Sequence, residues 1–203
     1  MKIITTHKGS DFDGLASLVA ASLIYPDAKP VLPNSVNANL KAFLSIHKDL
    51  FDFYSPGDIT MAHVETLILV DTHSWGRLEG MKKLKKKEDL EIIIWDHHIE
   101  GDIQGSVENI KETGACTTIV LEEVQNQRKL ITPIQATLFL MGIYEDTGNL
   151  TFASTLPADA YAAGFLLDRK ADLHILGTFL RQAYGKKQKD ILFELIKNAS
   201  REE

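Results

Sequence analysis

The sequence contains a single cysteine, Cys116, so it cannot form an intrachain disulfide, which is typical of proteins from a reducing compartment. No apolar run approaches the ~20 residues of a membrane span. The start, MKIITTHKG, lacks the apolar core of a signal peptide. Basic residues are not in excess, because 22 Lys and Arg stand against 28 Asp and Glu. We therefore expect a cytoplasmic protein that does not bind membranes and does not bind nucleic acid tightly over its whole surface, although a local basic patch remains compatible.

The first half of the chain alternates short apolar runs with helical patterns. The runs TLILV at Thr66–Val70 and EIIIW at Glu91–Trp95 are continuous, as in strands buried on both faces of a parallel sheet. Lys2–Thr6 and Pro30–Leu32 are further predicted strands. Helices are predicted at Gly14–Tyr25, Asn39–Lys48, Leu78–Lys87, Thr117–Gln127, Pro133–Glu145, Pro157–Asp168 and Lys186–Ala199. This order predicts an α/β fold with an open, mainly parallel sheet, helices on both faces and a helix-rich second half.

Acidic residues and histidines cluster where the predicted strands end. Three clusters follow strands, and a fourth ends an apolar helical pattern. In chain order the clusters are His7-Asp11-Asp13, Asp71, Asp96-His97-His98 and Asp146. In open α/β sheets, sites form beyond the carboxyl ends of the strands, so the first three clusters are expected to meet at one edge. His73 lies close behind Asp71 and could also approach this site.

Carboxylates crowded in this way repel one another unless a cation lies between them or one of them holds a proton. Several Asp and a few His, without Cys, suit hard to borderline divalent cations rather than a structural zinc. Two ions about 3.5–4 Å apart and bridged by a carboxylate would accommodate the set, and would bring the pKa of a shared water near neutrality, as in phosphoester hydrolysis. We expect two divalent cations, with Mn favoured and Mg or Co as alternatives.

The four clusters, written out as HKGSDFDGLAS, LVDTHSW, WDHH and YEDTG, resemble the successive motifs of the DHH phosphoesterase superfamily. That superfamily includes RecJ-type exonucleases, nanoRNases and pAp phosphatases, cyclic-dinucleotide phosphodiesterases and family II inorganic pyrophosphatases. The order and approximate spacing match from residue 3 to about residue 180. The segments TGACTT and TLPADAYAAGFLLDRKADL also resemble parts of the superfamily. Within it, the chain is similar to the DHH domain that precedes CBS domains and a tRNA nucleotidyltransferase/poly(A) polymerase-like region in large bacterial proteins.

The resemblance implies a domain organisation and partners. Residues 1–185 would form the DHH domain, and residues 186–203 a C-terminal helix leading to a further domain. The substrate would be a nucleotide or short oligonucleotide phosphate, and RNA could be reached through additional domains. The superfamily's usual second domain, with its glycine-rich and basic grip on the substrate, has no counterpart in this sequence, so another domain would have to supply it. The oligomeric state is not indicated.

The resemblance also implies the metal ligands. Carried over by position, they are His7, Asp11, Asp13, Asp71, His97 and Asp146. Asp71 would bridge the two ions, with His7 and Asp11 completing the first site. The remaining three residues would complete the second site.

Catalytic and substrate-binding roles are implied for residues around the metals. His98 would face the substrate phosphate as a donor or acid, and Asp96 would orient neighbouring groups. Arg77 could reach a phosphate. The amides near Gly114 and Ala115, before a predicted helix, could hold an anion, but capping of that helix explains them equally well.

Each cluster also has an ordinary structural explanation. Asp11 or Asp13 could cap the helix that follows them, because Asp is a favoured cap. Asp71 could start a turn after its strand, and Asp146 precedes a plausible Thr-Gly turn. His97 could be a satisfied, partly buried histidine. The four clusters together, in the superfamily order, favour the metal site.

Two other functions remain open. Asp11-Phe12-Asp13 could be the D-x-D of a haloacid-dehalogenase-like phosphatase with Asp11 as covalent nucleophile, but this leaves His7 and Asp96-His97-His98 without roles. The chain could also be a noncatalytic nucleotide-sensing or RNA-positioning module attached to a nucleotidyltransferase. The presence of all the implied ligands argues against a degenerate site.

Overall fold

The computed structural model describes residues 1–180 and 186–198. The predicted domain end at residue 185 and the last residue of the predicted helix Lys186–Ala199 lie outside the described residues.

The five strands form one parallel sheet in the order β2-β1-β3-β4-β5. Their bounds are β1 Lys2–Thr5, β2 Lys29–Val31, β3 Thr66–Val70, β4 Glu91–Asp96 and β5 Val107–Ile110. From β1 the chain runs outward to β2 and returns to β3 on the other side of β1. The sheet therefore has a topological switch point between β1 and β3, where α/β sheets of this kind form their sites.

Seven α-helices accompany the sheet in the described part of the chain. Their bounds are α1 Phe12–Ile24, α2 Ala38–His47, α3 Cys116–Asn126, α4 Pro133–Thr147, α5 Pro157–Asp168, α6 Leu173–Phe179 and α7 Lys186–Asn198. The prediction of an open, parallel α/β sheet with a helix-rich second half is confirmed. The strand β5 and the helix α6 have no counterpart in the sequence prediction. The side chains of β5 are exposed or only partly buried, so this edge strand carries a weak apolar pattern.

One face of the sheet packs against α-helices. Ile4, Ile68 and Val70 contribute to a buried cluster with α1, α3 and α4. The helices α1 and α4 approach closely at Gly142, where an added Cβ would lie 2.8 Å from the Cβ of Ala16. This close approach brings the N-terminal end of α1 near the C-terminal half of α4, and so places the first and fourth motifs side by side.

The helices of the other face are short 3-10 turns. The lysine-rich helix predicted over Leu78–Lys87 is wrong, because only Leu84–Lys86 forms a single 3-10 turn. Gly80 has a φ of 73°, which interrupts any α-helix at this position. Leu78, Met81 and Leu84 are nevertheless buried against the strands. Their spacing of three residues, which resembles that of a helix, therefore reflects burial of one side of a segment made of turns.

None of the helices in the described ranges combines the length and apolar character that crossing a membrane requires.

Candidate metal centre

The loop after β1 brings His7 and Asp11 to the carboxyl edge of the sheet. His7 is 3% exposed, and its Nε2 lies 3.8 Å from Oδ1 of Asp11. The same Oδ1 accepts a hydrogen bond from the amide of Gly14 at 3.1 Å, so Asp11 caps α1. A Cβ at Gly14 would lie 3.2 Å from Nε2 of His7 and still closer to Ser10, which explains why glycine follows the second aspartate. Asp11 therefore caps α1 and also lies beside His7 at the candidate site.

Asp13 is fully buried in the first turn of α1 and contacts a different helix. Its Oδ2 accepts from the amide of Cys116 at 2.7 Å, and its Oδ1 accepts from the amide of Thr117 at 2.9 Å. These are the first residues of α3, so Asp13 caps α3 across the fold rather than its own helix. Burial and the nearby Asp71 raise the pKa of Asp13 to about 7.

Asp71 lies directly after β3 in the left-handed region, with a φ of 57°. Asp and Asn adopt this conformation more readily than most other residues. The backbone therefore turns sharply enough to direct the side chain between two histidines. Its Oδ2 lies 3.1 Å from Nε2 of His7, and its Oδ1 lies 3.4 Å from Nε2 of His97. The chain does change direction after β3, as the ordinary structural explanation of Asp71 expects. This change of direction places the carboxylate at the centre of the cluster.

His97 and Asp146 close the cluster from β4 and α4. Nε2 of His97 lies 3.5 Å from Oδ2 of Asp146 and 4.0 Å from Oδ2 of Asp13. Nδ1 of His97 lies 3.2 Å from the carbonyl of Thr113. In the neutral ring a proton on Nδ1 is donated to that carbonyl, which leaves a lone pair on Nε2 facing the carboxylates.

The candidate ligand atoms form two groups that share Asp71. In each group the atoms lie within 4.8 Å of one another: His7, Asp11 and Asp71 in the first, and Asp13, Asp71, His97 and Asp146 in the second. Among the described residues, Oδ1 of Asp71 and Nε2 of His97 are buried without a hydrogen-bond partner. Buried polar atoms are normally satisfied, so two such atoms facing each other fit a divalent cation between them. The structure brings together the six residues predicted as ligands, and their binding of metal stays a prediction.

The pKa values of the cluster indicate which protons a cation would replace. Burial and then Asp13 raise the pKa of Asp146 to about 9. Burial lowers the pKa values of His7 and His97, but neighbouring carboxylates outweigh it and raise both to about 10. Without a cation the cluster therefore holds protons that offset the negative charge of its carboxylates, and a cation would displace them.

Asp96 and His98 lie beside the two groups. Asp96 is fully buried, and its Oδ1 accepts hydrogen bonds from the amide of His98 at 3.1 Å and from Nδ1 of His98 at 2.7 Å. The side chain of His98 is 42% exposed, so it borders solvent at the mouth of the cluster. Asp71, Asp96, His97 and His98 also offer atoms within 4.8 Å of one another. Asp96 therefore contacts a neighbouring group, His98, and its predicted orienting role stays a prediction.

The other predicted substrate contacts receive less support. The carbonyl of Arg77 accepts from the amide of Lys8 at 2.8 Å, which holds its turn beside the first motif, but its guanidinium makes no ion pair with the described residues. The amide of Gly114 donates to Asp159 at 2.9 Å, and Ala115 is buried. The amide of Gly114 is therefore already occupied and has no proton to offer a phosphate in this arrangement.

Glu145, which the sequence pattern does not single out, links two of the motifs through hydrogen bonds. Its Oε2 accepts from the amide of Phe12 at 2.6 Å, and its Oε1 accepts from the side-chain amide of Asn37 at 3.2 Å. It thus joins the fourth motif to the start of α1. The only indication of this contact in the sequence is that Glu145 directly precedes Asp146.

Comparison with known proteins decides the family. Residues 2–143 match the model of the "DHH family, N-terminal domain". The chain belongs to the DHH family. This membership agrees with the order of the four motifs, and it leaves the haloacid-dehalogenase alternative without support.

Relatives of this DHH chain include longer proteins. It is 38% identical over 201 residues to the "A-adding tRNA nucleotidyltransferase" of Geobacter sulfurreducens, which covers 98% of this chain and 23% of the relative. It is 28% identical to the "Bifunctional oligoribonuclease and PAP phosphatase NrnA" of Mycoplasma genitalium, over 80% of this chain and 49% of the relative. The chain therefore spans a quarter to a half of the length of these curated relatives.

The fold of this DHH chain is shared with a solved structure. An exopolyphosphatase-related protein from Bacteroides fragilis superposes with a TM-score of 0.75 over 97% of this chain and 60% of that one, at 16% sequence identity. This likeness shows the fold alone.

Proposed function

We propose that this DHH domain is a two-metal phosphoesterase that hydrolyses a nucleotide or short oligonucleotide phosphate. The observation that carries the proposal is the convergence of six ligand-type residues into two groups that share Asp71. A single buried carboxylate common to two ligand groups is what a bridged pair of divalent cations requires. Mn is the favoured metal, because the donors are carboxylates and imidazoles without thiolate.

The residues of the chain would have three roles: metal ligand, donor to the phosphate and orienting residue. The implied ligands are His7, Asp11, Asp13, Asp71, His97 and Asp146. When bound, a pair of divalent cations supplies a lowered water pKa and neutralises charge on a phosphate. His98, exposed at the mouth and held by Asp96 through Nδ1, would donate from Nε2 when both of its ring nitrogens carry a proton, either a hydrogen bond to the phosphate or a proton to the leaving oxygen. Oδ1 of Asp71 and, once the ring has lost a proton, Nε2 of His97 would offer lone pairs to the cations.

The proposed substrate class comes from the relatives. The Mycoplasma genitalium relative is named as an oligoribonuclease and PAP phosphatase, and the Geobacter sulfurreducens relative as a tRNA nucleotidyltransferase. Both names concern nucleotides or RNA, so a nucleotide phosphate ester is favoured over pyrophosphate. We further propose that domains beyond this chain supply the main grip on the substrate, because it spans 23% of the nucleotidyltransferase relative.

A second candidate is a noncatalytic module that senses nucleotides or positions RNA for a nucleotidyltransferase. The match to the nucleotidyltransferase from Geobacter sulfurreducens over nearly the whole of this chain favours it. This module would bind nucleotide without turning it over.

A substrate screen tests the proposal. The purified chain, saturated with Mn, is incubated with pAp, short oligoribonucleotides, a cyclic dinucleotide and pyrophosphate, and product is measured with and without chelator. Asp13→Asn and His97→Gln should abolish any Mn-dependent hydrolysis, whereas Asp168→Asn, at an exposed position on α5, should not. Binding of nucleotide without hydrolysis would instead support the noncatalytic module.

The proposal that domains beyond this chain hold the substrate leads to a second expectation for the same screen. Orientation of a substrate can account for about 7 kcal/mol or more of a barrier. The chain alone should therefore bind metal normally but hydrolyse its substrate slowly and with weak affinity. A form extended to the length of the nucleotidyltransferase relative should have a higher kcat/KM and an unchanged metal affinity. Equal kcat/KM in both forms would place the whole grip within this chain.

A further inference from the structure

The carboxylate of Asp96 lies between two imidazoles. Nδ1 of His73 is 2.5 Å from Oδ2 of Asp96, and Nδ1 of His98 is 2.7 Å from Oδ1. Asp96 is fully buried and His73 is 5% exposed, whereas the side chain of His98 is 42% exposed. The three side chains therefore form a line that runs from the interior to the mouth of the candidate metal centre.

An ionised carboxylate can only accept hydrogen bonds, so both imidazoles must carry their proton on Nδ1 in this line. In the neutral form, each ring then presents Nε2 as its free lone pair. The amide of His98 donates to Oδ1 as well, at 3.1 Å, so both oxygens of Asp96 are engaged by histidines. This occupancy favours an orienting role for Asp96 over metal ligation, although it also lies within 4.8 Å of ligand-type atoms of Asp71 and His97.

The ring of His73 is enclosed by the loop after β4. The carbonyl of His73 accepts from the amides of Asp102 at 3.1 Å and Ile103 at 3.0 Å. Gly101 covers the ring so closely that an added Cβ would lie 1.8 Å from Cδ2 of His73. The imidazole is therefore constrained on its backbone and on one side of its ring, and its Nδ1 stays directed at Asp96.

We propose that His73 is a positioning residue that fixes, through Asp96, the tautomer and direction of the His98 imidazole at the mouth of the centre. The benefit to catalysis rests on the proposed phosphoesterase function, but the effect on His98 does not. If His73 lost its donor, Oδ2 of Asp96 would be buried without a partner, and the carboxylate would rotate toward another donor. His98 would then lose its fixed acceptor.

The experiment reads His98 directly by long-range ¹H–¹⁵N NMR of the full chain with Mg²⁺, with the His98 signals assigned by their loss in His98→Gln. In the wild type the neutral ring should be a single Nδ1–H tautomer. His73→Phe removes the donor and should give averaged ring-nitrogen shifts from a mixture of tautomers. His73→Asn should restore the wild-type pattern, because its amide nitrogen can replace Nδ1. His63→Phe, at an exposed histidine, should change nothing.

Gly101→Ala is a second variant that should break the contact between His73 and Asp96, since its methyl group would displace the His73 ring. It should reproduce the averaged shifts of His73→Phe, and it carries the test alone if His73→Phe does not fold. A single Nδ1–H tautomer of His98 in the folded donor-free variants would overturn the proposal. Failure of His73→Asn to restore the pattern would overturn it too, because the role would then be packing alone.

The activity arm separates this proposal from the proposed function. Loss of such an orienting partner typically costs about 10–100-fold in activity, and we expect this loss in kcat of His73→Phe and its recovery in His73→Asn. If the wild type hydrolyses no substrate, the proposed function fails while the NMR pattern still decides the role of His73. If kcat of a folded His73→Phe equals that of the wild type, the positioning role in catalysis is refuted.

Discussion

Substitution of Asp71 by Asn tests the sharing of one carboxylate between two metal sites. Asp71 belongs to both ligand groups, whereas Asp146 belongs only to the group with Asp13 and His97. Asn has nearly the same shape as Asp and also tolerates the left-handed conformation found at φ 57°. The substitution therefore removes the negative charge and one oxygen ligand without requiring a new backbone path. Asp71→Asn should weaken both sites, and Asp146→Asn mainly one.

The magnitude follows from linkage between metal binding and folding. At a Mn concentration of 100 times Kd, each occupied site stabilises the folded state by about 2.7 kcal/mol, so two sites contribute about 5 kcal/mol. In a chain of 203 residues, each kcal/mol shifts the Tm by about 2–4 °C. Mn should then raise the Tm of the wild type by roughly 10–20 °C. We expect about half of that rise in Asp146→Asn and almost none in Asp71→Asn.

The assay compares the Tm of each variant with and without Mn, so that any change in the stability of the metal-free protein cancels. Calorimetric titration counts the ions in parallel. Asp168→Asn is the control, because its carboxylate is exposed on α5, and it should keep the full rise. A similar Mn-dependent rise and a similar stoichiometry in Asp71→Asn and Asp146→Asn would refute the bridging role. A wild type that binds at most one ion at saturating Mn would refute the two-metal centre itself.

Two further predictions concern packing and protons. Gly142→Ala should lower the free energy of unfolding in urea by about 1–3 kcal/mol, because its Cβ would lie 2.8 Å from that of Ala16. Gly164→Ala should raise the free energy of unfolding by about 0.5–1 kcal/mol, because its added Cβ would meet no side chain within 4 Å. Equal effects of the two substitutions would contradict the close approach of α1 and α4. Mn binding at pH 7.5 should release protons, because burial raises the pKa of Asp13 to about 7 and of Asp146 to about 9. His7 and His97, whose pKa values are raised to about 10, must also lose a proton to bind Mn, so the affinity should increase with pH up to about 10. Calorimetry in two buffers of different ionisation enthalpy would show no difference if this is wrong.

The centre of the fold could be predicted because its signals are local in sequence. TLILV and EIIIW are continuous apolar runs, and each is followed at once by polar residues that no buried strand requires. Once the strands are parallel, their carboxyl ends must lie at one edge, which brings Asp71 and His97 together. The place of His7 follows in the same way from β1, which pairs with β3.

Features that depend on contacts between distant segments could not be predicted. Leu78–Lys87 carries many good helix formers, but burial of Leu78, Met81 and Leu84 and the turn at Gly80 determine its path. The place of His73 behind Asp71 indicates that it could approach the site, but its contact with Asp96 depends on the loop after β4, where Gly101 covers the ring. In the sequence the amide of Gly114 is a plausible anion site, but in the fold it donates to Asp159 from α5.

Asp13 shows why the capping and metal explanations of an aspartate are not exclusive. Its two oxygens accept the first amides of α3, yet a carboxylate oxygen has more than one lone pair, and Oδ2 still lies 4.0 Å from Nε2 of His97. The amides and the dipole of α3 favour a negative charge at this point, while burial and Asp71 oppose it. The helix cap therefore holds the carboxylate in place before any cation arrives. A ligand held by the fold in this way has little conformational entropy left to lose on binding, which favours metal affinity at a site assembled from four separate segments of the chain.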